Sequence, residues 1–101
     1  MSESPTRLIV TRDGTTITVT GDVDAYSAPD LSSALDPLPG EGTVTLELSG
    51  VEFMDSSGIR VLVDAHQRAA EAERSFVIAD PSRSVRRILE ISGLLDHLDV
   101  R

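Results

Sequence analysis

The run Thr43-Val44-Thr45-Leu46-Glu47-Leu48-Ser49, then Gly50-Val51-Glu52-Phe53-Met54, then Asp55-Ser56-Ser57-Gly58-Ile59, decides the fold. Val44, Leu46 and Leu48 alternate with Thr45 and Glu47, the period of a half-buried strand over residues 43–49. Residues 50–54 read as a short connection. Asp55 is a good N-cap, because its carboxylate can accept from a free N–H of the first helical turn. Ile59, Leu62, Val63, His66 and Ala69 or Ala70 then recur at helical spacing, to about Glu73. Strand, loop and amphipathic helix make the first two parts of a βαβ unit.

Downstream, Phe76–Ala79 is a short continuous apolar strand stopped by Asp80-Pro81. Ser82 or Ser84 begins a helix with Val85, Ile88 and Leu89 inward, closed by Gly93. Residues 98–100 predict a last edge strand. Upstream, Pro29 is suited to a first helical turn after Ser27 or Ala28. Leu31, Ala34 and Leu35 form its stripe, and Pro37, Pro39, Gly40 and Gly42 end it. Residues 7–11 and 15–20 are β-branched runs separated by Asp13-Gly14, which predicts a type I′ hairpin. Gly21-Asp22-Val23-Asp24 is expected to break the second strand. The element order is ββαβαβαβ: an α/β fold with a mixed β-sheet packed by helices. One domain over residues 1–101 is expected, with a frayed start at 1–6.

Composition narrows the chemistry. The net charge of −8 repels a phosphate backbone and an anionic membrane, and favours a partner with a basic face. Cysteine is absent, which removes disulfides and thiol chemistry and fits a reducing compartment. All nine basic residues are arginine, so Walker A, Schiff-base and receiver-domain lysines are excluded. No apolar run approaches the ~20 residues of a spanning helix, and no signal segment is read at the start. A cytoplasmic protein is expected, without nucleic-acid or membrane partners.

Two loops carry candidate function: Gly21-Asp22-Val23-Asp24-Ala25 and Phe53-Met54-Asp55-Ser56-Ser57-Gly58. Each follows a strand and precedes a helix, where function gathers in open α/β sheets. With Asp55 as N-cap, Ser56 and Ser57 fall in the first turn, near free N–H groups and the positive end of the helix dipole. A phosphate is comfortable there. Gly58 leaves room for close approach. Asp-Ser-Ser-Gly is also what a plain capping sequence looks like.

The second loop, between a strand and an amphipathic helix, resembles the phosphosite of the STAS-domain anti-sigma factor antagonists of bacteria. Gly-Asp-Val-Asp is similar to that family's Gly-Glu-(apolar)-Asp after its second strand. Leu48-Ser49-Gly50-Val51 resembles the lead-in, and Val85-Arg86-Arg87-Ile88-Leu89 with Ser92-Gly93-Leu94 the third helix and its exit. The resemblance implies a STAS-like fold and partner switching. In that family the serine after the motif's aspartate, here Ser56 with Ser57 as second choice, is phosphorylated by a histidine-kinase-like anti-sigma factor. The unphosphorylated form binds that kinase and frees the sigma factor, and a metal-dependent serine phosphatase restores it. The implied docking face comprises Asp22, Asp24, Asp55, Ser56, Ser57, Gly58 and Arg60, on a monomer that is not itself an enzyme and uses no cofactor. Arg60 stands where many members carry glycine, residues 71–75 lack the usual glycines, and many members continue past the position of Arg101 into a C-terminal helix.

Other readings differ in chemistry. A serine hydrolase would lack a Gly-x-Ser-x-Gly elbow and have only His66 and His97 as bases. Asp22, Asp24 and Asp55 could hold magnesium as oxygen ligands, but lysine-dependent phosphotransfer is excluded. A STAS module of a stressosome or a transporter-associated complex keeps the fold and changes the role. Arg83, Arg86 and Arg87 read as surface charge on the third helix.

Overall fold

The computed structural model describes residues 7–101; the expected frayed start at 1–6 lies outside them. In chain order the elements are β1 (Ile9–Asp13), β2 (Thr16–Val23), α1 (Ala28–Ala34), β3 (Val44–Met54), α2 (Ser56–Glu71), β4 (Phe76–Ala79), α3 (Arg83–Ile91) and β5 (Asp99–Val100). The expected order ββαβαβαβ is the observed one. The sheet order is β1-β2-β3-β4-β5, with β1 antiparallel to β2 and every other pair parallel.

Side-chain alternation builds the core. Ile17, Leu46 and Ile78 lie opposite one another across β2, β3 and β4, and all three are buried. Their sequence neighbours Thr16 and Thr45 pair on the other face and stay half-exposed. Leu31 and Leu35, Leu62, Ala65 and Ala69, and Val85 and Leu89 close the same core from the three helical segments. Full burial of one such leucine stabilises by about 2 kcal/mol.

Three local expectations need correction. The hairpin turn is Gly14-Thr15, and only Gly14 has a positive φ, 65°. That is the type II′ pattern, with glycine first, rather than type I′. Gly21 does not break β2, which runs on to Val23, and residues 50–54 are strand rather than connection. The two misread segments pair with each other: Thr20 with Gly50, Gly21 with Val51, Asp22 with Phe53 and Val23 with Met54. Register shifts at Thr18/Thr20 and Gly21/Asp22 absorb the irregularity while the ladder continues. Each segment supplies the other's backbone partners, so both stay extended.

Helix ends follow local chemistry. The Ser82 Oγ accepts from Val85 N at 3.2 Å and donates to Val51 O at 2.5 Å, so Ser82, not Ser84, caps α3 and ties it to β3. Arg68 of α2 donates to Leu35 O at 2.5 Å and pairs with Asp64 at 3.3 Å and Asp36 at 3.5 Å, holding α2 to the end of α1. Glu73 turns the chain after α2 at φ 57°, a left-handed conformation that costs a non-glycine residue about 1 kcal/mol. Among the described residues no helix is long and apolar enough to cross a membrane.

Candidate partner-binding site

Parallel pairing sets the site. The ends of β2 and β3 run side by side, and Asp55 N donates to Val23 O at 3.1 Å. The two loops singled out in the sequence therefore leave the sheet as neighbours.

The first loop is closed on itself. Asp24 Oδ1 accepts from Tyr26 N and Ser27 N, both at 3.0 Å. The Ser27 hydroxyl donates to Asp22 O at 2.8 Å and accepts from Asp24 N at 3.0 Å. The Ser27 N–H, first among these bonds, holds the Asp24 carboxyl below its ordinary value, against a smaller opposing effect of desolvation. Asp24 thus spends one oxygen on shaping the loop. Asp22 is half-buried at the end of β2.

The second loop presents rather than encloses. Asp55 is the N-cap of α2 and its Oδ1 accepts from Ser57 N at 2.8 Å. Ser56 is the first helical residue; it is exposed, and its hydroxyl has no partner among the described residues. Ser57 is half-buried. Arg60 is exposed one turn on. Asp64, the natural partner one turn further, pairs with Arg68 instead. Arg60 makes no ion pair among the described residues.

Gly58 requires a correction. It is buried, and a Cβ there would lie 2.6 Å from Met54 Cγ and 2.9 Å from Val23 Cγ1. Its bareness lets α2 sit tightly on the ends of β2 and β3. It does not open space for another molecule.

His66 lies ten residues along the helix from Ser56, about 15 Å at the α-helical rise, too far to act as its base. Its ring instead packs against His97, with centroids 5.6 Å apart. Among the described residues no three acidic, histidine or cysteine side chains gather to hold a metal ion.

Sequence reasoning missed two exposed aromatics beside these loops. Tyr26 is 95% exposed and Phe53, opposite Asp22, is 49% exposed. The chain has only three aromatic residues, Tyr26, Phe53 and Phe76, so two of the three lie on the surface next to the site. That scarcity was the available signal.

Comparison with known proteins agrees with this architecture. The family model described as "Mlab, STAS domain" matches residues 8–99. A Staphylococcus epidermidis protein named anti-sigma-B factor antagonist is 31% identical over 86 residues, covering 83% of this chain and 80% of its own. The Listeria monocytogenes protein of the same name is 34% identical over 87 residues, covering 84% and 76%. The solved structure of an anti-sigma factor antagonist from Mycobacterium paratuberculosis superposes with a TM-score of 0.77 at 23% identity, over 93% of this chain and 83% of that one, a likeness of fold. The β1-to-β5 sheet, the paired loops and the sequence relatives agree: the chain belongs to the STAS domain family.

Proposed function

We propose that this chain is an anti-sigma factor antagonist that works by partner switching at Ser56. The observation that carries the reading is the exposed Ser56 hydroxyl, without a partner among the described residues, in the first turn of a helix capped by Asp55. The names of the relatives at 31% and 34% identity support it. In this reading the chain is a cytoplasmic monomer and a binding protein rather than an enzyme. Its partner is a histidine-kinase-like anti-sigma factor that uses ATP to phosphorylate Ser56; a metal-dependent serine phosphatase removes the phosphate.

Phosphoserine adds about −1.5 to −2 charge at pH 7. At the N-terminus of α2 the dipole favours that charge, and Arg60, one turn away and without an ion pair among the described residues, is spaced to hold it. Phosphorylation therefore leaves the fold intact. It acts across the interface, by bulk and by charge added to a face that already carries Asp22, Asp24 and Asp55.

The test is ATP-dependent labelling by an anti-sigma factor kinase of the source organism, with the site read by mass spectrometry. Phosphate on Ser56, and binding of the kinase only by the unmodified chain, are expected. Phosphate confined to Ser57 overturns the site assignment.

A further inference from the structure

The chain has only two histidines, and the fold brings them together. His66 lies on α2 and His97 on the turn between α3 and β5. Their ring centroids are 5.6 Å apart, with the planes tilted by 54°. That tilt is neither the parallel of a stacked pair nor the perpendicular of an edge-to-face pair. No side-chain hydrogen bond or ion pair among the described residues involves either ring, so the imidazole nitrogens are left over. His66 is half-buried and His97 exposed, which opens the pair to solvent on one side. The backbone under His97 is held. Its N–H donates to Leu94 O at 3.1 Å, and the next residue, Leu98, is buried in the core.

We propose that His66 and His97 form a binding site for a divalent transition-metal ion, zinc above all. Zinc takes a neutral imidazole nitrogen at about 2.0–2.1 Å, and two imidazoles on one tetrahedral ion then have ring centres about 5 Å apart. The observed 5.6 Å is close to that, and a side-chain rotation of the exposed His97 closes the difference. The donor set selects the metal. Imidazole suits zinc, nickel and copper, whereas magnesium and calcium take oxygen ligands. Among the described residues no third acidic, histidine or cysteine side chain joins the pair, so water fills the remaining positions and the ion exchanges readily. The bound ion fastens α2 to the segment that leads into β5, an edge strand of two residues. Ten residues of helix, about 15 Å, separate His66 from Ser56, so the site is independent of the partner-switching reading.

The test uses the full chain without a histidine tag, titrated with zinc chloride alone in a buffer that does not chelate. Calorimetry is expected to show one ion per chain. Zinc at ten times its Kd is expected to raise the thermal unfolding midpoint by about 5–10 °C. His97→Ala, on the surface, is expected to keep the metal-free midpoint and abolish the zinc shift. His66→Ala is expected to lose the shift as well, whatever it does to the metal-free midpoint. Copper(II) is expected to bind more tightly than zinc and to show two nitrogen ligands by electron paramagnetic resonance, reduced to one in either variant; magnesium is expected to shift nothing. A zinc shift that survives His97→Ala assigns the ion to surface carboxylates and overturns the site, as does the absence of a shift in the wild type. One ion per two chains overturns it too, because the ligands then come from separate copies.

Discussion

Two aspartates at neighbouring strand ends do the same thing with opposite results. Asp24 and Asp55 each follow a parallel strand, and each catches with Oδ1 the N–H two residues on, Tyr26 in one loop and Ser57 in the other. In the first loop a serine completes the knot: Ser27 gives both its N–H and its hydroxyl to the turn. In the second, the serine between cap and captured N–H, Ser56, gives its hydroxyl to nothing among the described residues. One loop is a fixed platform and the other an offered group. A shared local motif therefore does not predict a shared role; what decides is which side chains the motif leaves over.

Breaking the offered side has the largest effect. Ser56→Ala is expected to abolish phosphorylation while shifting the urea unfolding midpoint by less than about 0.5 kcal/mol equivalent, because an exposed hydroxyl without partners is lost. Kinase labelling beside chemical denaturation checks both halves. The reverse pattern belongs to Ser27→Ala. Removing a half-buried hydroxyl with a donor and an acceptor partner is expected to cost about 1–2 kcal/mol of stability and to leave Ser56 phosphorylatable. A stability loss equal in the two variants would erase the contrast. Asp55→Ala removes the cap of α2 and is expected to cost about 1 kcal/mol, measurable by thermal unfolding, with Asp55→Asn recovering most of it.

The smallest effect is a dependence on pH. The folded-state pKa of Asp24 is lowered, so its carboxylate contributes stability that is present above the ordinary carboxylate value and lost as pH falls through the depressed one. Asp24→Asn is therefore expected to lie below the wild type in urea midpoint near neutral pH and to converge with it in acid. A gap that persists unchanged into acid would show that the ionised carboxylate is not what closes the first loop.

Much of this was readable in the residues. The alternation of Val44, Leu46 and Leu48, the cap at Asp55 and the apolar run Phe76–Ala79 each report a local preference that the fold keeps. The continuation of β2 and β3 through glycine was not readable, because each segment is extended only by pairing with the other, at long range. Gly58 misled for a related reason. Glycine in a loop signals bareness, but only packing says who fills the space, and here Met54 and Val23 do. The local geometry of the second loop was legible at Asp55 and Ser56, because cap and first helical residue follow from one helical turn. The exposure of Tyr26 and the groove between α1 and α2 were not legible, because they depend on how distant segments sit together.

Gly58 also acts as a gauge. Phosphoryl transfer needs its acceptor oxygen nearly in line with the donor, and a displacement of about 1 Å can cost about a hundredfold in rate. The height of Ser56 above the sheet is set two residues away, by the lack of a single methyl group against Met54 and Val23. Under the proposed switch, Gly58→Ala would displace the Ser56 hydroxyl without touching it and would also crowd the buried Met54 and Val23, so a loss of phosphorylation rate would accompany a loss of stability.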